Sequence, residues 1–106
     1  ELSQEKKEIV DLVEPLVVSY FGLDNQFDIY CRQRNQKLAN ARFCLWYFLH
    51  YEKGFTLGEL SCQYTREIRS ICKGISKMKY RIIKAPIYRD MYNGFIQNID
   101  NVFTGA

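Results

Sequence analysis

The chain has 106 residues, enough for one domain whose core needs neither disulfide nor metal to close. Apolar residues make up 47% of it, with eight Tyr and seven Phe, a composition that argues against disorder. The net charge of +3 hides an asymmetry: the first fourteen residues hold five acids and two lysines, whereas residues 64–84 hold seven cations and one acid.

Residues 5–21 place Ile9, Leu12, Val13, Leu16, Val17 and Tyr20 at helical spacing. Pro15 lies inside this pattern and is expected to kink or split the helix. Gly22 is the expected left-handed cap, and Asp24 can N-cap a short second helix that runs to about Tyr30. A third helix is predicted from Asn35 to His50, with Leu38, Ala41, Leu45, Phe48 and Leu49 as one stripe. Phe43, Trp46 and Tyr47 make its second half apolar nearly all round, as in a helix central to a fold or covered by a partner. Thr56 and Glu59 have capping-box spacing and open a short fourth helix that ends near Gln63.

Thr65 is then read as the cap of a fifth helix, whose apolar face is Ile68, Ile71, Cys72, Ile75 and Met78. Arg66, Arg69, Ser70, Lys73 and Lys77 occupy an arc of roughly 100° on the other side. Ala85-Pro86 opens a sixth helix, with the stripe Tyr88, Met91, Tyr92, Phe95, Ile99 and Val102. No segment alternates as a strand, and there are no repeats, so the class is all-α. One helical domain over residues 1–104 is expected, with residues 105–106 as a tail.

Cys31, Cys44, Cys62 and Cys72 include no C-x-x-C pair, and there is one histidine, which argues against a zinc site. Free thiols, mostly in the core, fit a reducing cytoplasm. No apolar run of membrane length occurs. No Gly-rich phosphate loop is present, and His50 has no nucleophile and supporting acid near it in sequence, so it reads as a surface residue at a helix end. Neither an enzyme, a small-molecule substrate nor a cofactor is expected.

A short helix, a tight turn and a second helix, at about 56–79, have the order of a helix-turn-helix, whose second helix enters the major groove. Arg66 and Arg69 are candidates for paired donors to guanine, Ser70 for either base type, and Lys73, Lys77 and Lys79 for phosphate. A second segment, Cys31 to Arg42, carries Arg32, Arg34, Lys37 and Arg42 and no acid. Arginines there could clamp phosphates or enter a narrow minor groove. The expected partner is double-stranded DNA. The alternative is a helical protein-interaction domain that uses the aromatic parts of the third and sixth helices, alone or in a larger parent chain.

Four matches carry a resemblance to the C-terminal DNA-binding domain of the bacterial replication initiator DnaA. Val17-Val18-Ser19-Tyr20-Phe21-Gly22-Leu23 is similar to that family's V-A-E-Y-F-G-I. Arg32-Gln33-Arg34, then Ala41-Arg42 and Trp46-Tyr47-Phe48-Leu49, resembles its basic loop, A-R and M-Y-L. Leu57-Gly58-Glu59-Leu60 resembles L-P-E-I, and Tyr64 to Gly74 is similar to F-G-G-R-D-H-S-T-V-L-H-A with one glycine missing. The resemblance implies a six-helix, Trp-repressor-like domain acting in replication initiation or its control. It implies a minor-groove role for Arg34, a phosphate contact for Arg42 and base reading by Arg66. Glu67, Ile68, Arg69 and Ser70 stand where the family has Asp, His, Ser and Thr, which implies a different target site.

Overall fold

The computed structural model describes residues 2–30 and 35–103, and among these every regular element is helical. Five α-helices run α1 Gln4–Phe21, α2 Gln36–Glu52, α3 Leu57–Tyr64, α4 Ile68–Lys84 and α5 Pro86–Phe103. The expected second helix is instead a single 3-10 turn, Gln26–Ile29. Its cap is Asn25 rather than Asp24: the Asn25 side chain accepts from Phe27 N at 2.8 Å, and Asp28 accepts in return from the Asn25 backbone.

Local chemistry sets most helix ends. Ser3 caps α1, Asn35 caps α2, and Thr56 and Glu59 form the expected reciprocal capping box on α3. Gly22 closes α1 in the left-handed region at φ 67°. Pro86 is the first residue of α5, where a missing N–H costs nothing. Arg89 reaches back to the exposed end of α4, its Nε donating to the Ile82 carbonyl at 3.1 Å and its Nη2 to that of Ile83 at 2.8 Å.

Pro15 does not split α1, which is one helix of 18 residues. Both Pro15 and Asp11, whose carbonyl loses its helical donor, are exposed, so water can serve that carbonyl. The buried arc of α1 is also rotated from the expected one. Val10, Val13, Glu14 and Val17 are buried, while Leu12 is 40% exposed.

α2 is the central helix, one of the two placements its composition allows. The whole expected stripe is buried, together with Cys44 and Trp46, and α2 packs on α1, α3, α4 and the 3-10 turn. Its aromatics meet those of α5 inside the fold: Tyr47 stacks edge-on against Tyr92 at 5.0 Å, and Phe48 against Phe95 at 5.8 Å. The aromatic surfaces offered by the alternative reading are therefore largely core. His50 stands in the last turn of α2, half-buried, and its Nδ1 donates to the Phe55 carbonyl at 2.7 Å.

The thiol expectation divides. Cys44 is fully buried, but Cys62 and Cys72 are exposed, and Cys31 lies outside the described residues. Burial pushes the Cys44 thiol far above its ordinary range.

Beneath α1 lies a polar knot that the sequence pattern did not reveal. Glu14, 1% exposed, accepts from Gln26 Nε2 at 2.7 Å, from Tyr30 OH at 2.5 Å and from Tyr64 OH at 3.0 Å. Gln63 Nε2 in turn donates to Tyr30 OH at 3.1 Å. One carboxylate thus joins α1, the 3-10 turn and α3. Burial, with the neighbouring Glu14 charge, raises the pKa of both Tyr30 and Tyr64 well above 10.

This predicts an alkaline limit. The folded pKa of Tyr64 is raised, so its contribution is complete below the unfolded value of 10.0 and is lost as pH rises past it. Buried Tyr64 should subtract about 1.4 kcal/mol per pH unit above that point. A thermal midpoint followed against pH should be level on the neutral side and fall steeply above about pH 10. No fall through pH ~12 would mean that these hydroxyls ionise freely in the fold.

Candidate nucleic-acid interface

α4 follows α3 after three residues, Thr65 to Glu67, and packs on both α2 and α3. Thr65 does not cap α4. It closes α3 in the left-handed region at φ 52°, with its N–H bonded to the Ser61 carbonyl. A β-branched residue is strained there, and the surrounding bonds hold it. Arg66 N also donates to the Ser61 carbonyl at 3.1 Å, and the Ser61 hydroxyl donates to the carbonyl of Arg66. Glu67 is the N-cap residue of α4 and makes no side-chain cap bond.

Arg66 consequently sits in the turn and not on the helix. It is half-buried, with its guanidinium carbon 5.9 Å from the centre of the Trp46 ring. The apolar face of α4 is also turned from its expected position. Ile71, Gly74, Ile75 and Met78 are buried, whereas Ile68 is 51% exposed and Cys72 is exposed. Gly74 accounts for the rotation. A Cβ there would lie 2.7 Å from Phe43 Cδ1 and 3.1 Å from Trp46 Cε3, so the bare backbone is what lets α4 lie close on α2.

The outward face carries Arg69, Ser70, Lys73, Ser76, Lys77, Tyr80 and Lys84, all exposed. From Ile68 to Lys84 there are six cations, Arg69, Lys73, Lys77, Lys79, Arg81 and Lys84, and no acid. Arg69, Lys73, Lys77 and Lys84 make no ion pair with another described residue. Lys79 lies 5.7 Å from the Tyr51 ring centre. A helix with this many unneutralised charges on one side is held by packing of its other side on α2 and α3.

The second basic segment is met only in part. Arg32 and Arg34 lie outside the described residues. Lys37 is exposed and donates to the Gly22 carbonyl at 3.1 Å, tying the start of α2 to the end of α1. Arg42 is 6% exposed, so it is a buried cation of α2 and not a surface one. It nevertheless lines a groove of ≈ 570 Å³ between the start of α2 and the middle of α4, together with Asn35, Gln36, Ala39, Phe43, Lys77 and Arg81. The fold thus brings Arg42 and Lys77 to one place, with Arg69, Ser70 and Lys73 further along α4; Thr65 and Arg66 stand in the turn before it.

Arg81, Tyr80 and Lys84 belong to this surface and were not among the candidates expected from sequence. Continuing the Arg69, Lys73, Lys77 spacing by one turn reaches Tyr80 and Arg81, and by two turns Lys84. Among the described residues, no set of three or more His, Cys, Asp or Glu could hold a metal ion, and no helix is long and apolar enough to cross a membrane. Comparison with protein-family models, with curated proteins and with solved structures finds no match to this chain.

Proposed function

We propose that this chain binds duplex DNA through a helix-turn-helix made of α3, residues 65–67 and α4, with sequence preference read by the start of α4. The observation that carries the reading is the outward face of α4, an acid-free row of cations without ion pairs among the described residues. Such a row suits a polyanion in register with a helix, because each Lys or Arg that meets a phosphate releases condensed counterions. An α-helix fits the major groove, about 12 Å wide.

In this reading Arg69 and Ser70 meet base edges, and exposed Ile68 is available to a thymine methyl group. Lys73 and Lys77 hold phosphates as flexible point charges. Arg66 reaches a base from the turn. Arg32, Arg34 and Lys37 act on the adjoining backbone or minor groove. A Trp-repressor-like relationship to the DnaA domain, and with it a role in replication or its control, rests on the resemblance of the quoted motifs alone. In that comparison Thr65 takes the left-handed turn where the resembled motif carries glycine.

The test is a duplex titration at several salt concentrations. Affinity should fall linearly on a log–log plot, and Lys73→Gln should reduce the slope by about 1. No binding at low salt, or binding indifferent to salt, would sink the proposal.

A further inference from the structure

We propose that the groove between the start of α2 and the middle of α4 is a built site for a phosphate group. It is lined by Arg42, Lys77 and Arg81, by Asn35 and Gln36, and by Phe43 and Ala39. Three cationic residues from two helices line it, and no carboxylate is among its described lining residues. Lys77 and Arg81 bring like charges to one opening, where they repel each other, and an anion placed between them reduces that cost.

The donors are held rather than loose. Arg42 is 6% exposed, and Arg81 is half-buried, with its guanidinium 4.9 Å from the Tyr88 ring centre. One Arg81 nitrogen donates to Asn40 Oδ1 at 3.3 Å, an oxygen that also accepts from Gln36 at 2.9 Å. A guanidinium has five N–H groups, so this bond orients Arg81 and leaves donors for a ligand. Lys77 makes no hydrogen bond or ion pair with another described residue. α2 has no acid in its first turn, and its positive end lies at the same opening.

The volume of ≈ 570 Å³ is that of a small-molecule site, and Phe43 and Ala39 supply an apolar wall beside the cations. The ligand chemistry is therefore a phosphate monoester or diester. Its source is either a free phosphorylated compound or a backbone phosphate of the duplex proposed above. In the second case the site rests on that proposal, and in the first it stands without it.

The experiment follows the fluorescence of Trp46, whose ring centre is 5.8 Å from that of groove-lining Phe43, with calorimetry alongside. Inorganic phosphate and adenosine monophosphate are titrated without DNA into wild type, Arg81→Gln, Lys77→Gln and, as an equal charge change elsewhere, Lys7→Gln. Saturation at about millimolar ligand or below is expected, weakened about ten-fold or more by either groove substitution and unchanged by Lys7→Gln. A second arm measures duplex affinity for the same four proteins. Loss in Arg81→Gln and Lys77→Gln confined to the duplex arm assigns the site to a DNA phosphate, and loss confined to the first arm assigns it to a free compound. Phosphate binding without duplex binding would overturn the proposed function and keep the groove. Duplex binding untouched by Arg81→Gln, with no phosphate titration, would overturn the groove and keep the function. Lys77 is exposed, so its variant decides the matter if Arg81→Gln does not fold.

Discussion

Glu14→Ala is expected to lower the unfolding free energy by about 3 kcal/mol, a large share of the 5–15 kcal/mol typical of a domain. The carboxylate receives three hydrogen bonds, from Gln26, Tyr30 and Tyr64, and no lysine or arginine is among these donors. Removing it strands the Tyr64 hydroxyl, which belongs to a side chain 1% exposed, and an unsatisfied buried donor costs about 1–3 kcal/mol. Gln26 and Tyr30 are less buried and can turn partly to water, so their losses are smaller. The emptied volume adds a cavity term, while relief from burying a charged group subtracts. Glu14→Gln keeps the shape and one acceptor oxygen, and a tyrosine hydroxyl can rotate to accept from the new amide. It should fall between wild type and Glu14→Ala, at a cost of about 1–2 kcal/mol. Urea unfolding of the three proteins measures this. An alanine variant within about 0.5 kcal/mol of wild type would show that the knot contributes little.

The second large effect concerns binding. Reversing Lys73 and Lys77 together to Glu should weaken duplex affinity by about a hundred-fold or more at low salt. Each lysine lost from a phosphate removes about one unit of salt slope, and each glutamate gained adds repulsion to the same strand. Both side chains are exposed, so stability should shift by no more than about 0.5 kcal/mol. That separates lost contact from lost fold, as thermal unfolding of the variant will show. The deficit should shrink as salt rises, because screening weakens attraction and repulsion alike. An unchanged affinity on every sequence tried would remove α4 from the binding surface.

The two predictions draw on opposite kinds of information. The basic row on α4 was legible in the sequence, because residues on one helix share a face by spacing alone. The capping box of Thr56 and Glu59 and the left-handed cap at Gly22 were legible for the same reason, since both partners lie within a few residues of each other. A helix apolar on too many sides to face water left two places for α2, the centre of the fold or beneath a partner, and packing on α1, α3 and α4 decided for the first.

What spacing alone could not show was which edge of an apolar arc turns inward. In α1 the arc shifted toward Val10 and Glu14, because Tyr30 and Tyr64, 16 and 50 residues away, supply donors that make a buried carboxylate tolerable. A glutamate in phase with Val10, Val13 and Val17 was the available signal. In α4 the arc shifted toward Gly74, because its missing side chain admits Phe43 and Trp46 of another helix. That shift turned Ile68 and Cys72 outward.

The sequence by itself determined an all-helical chain, most of its helix ends and a cationic face, since those depend on period, capping and charge within one segment. Only the tertiary structure decided that Arg42 is buried, that Arg66 and Thr65 belong to a turn, and that Arg81 meets Lys77 at a groove. The physical reason is common to all of these. Burial and convergence depend on partners supplied by other helices, and the distance along the chain carries no record of them.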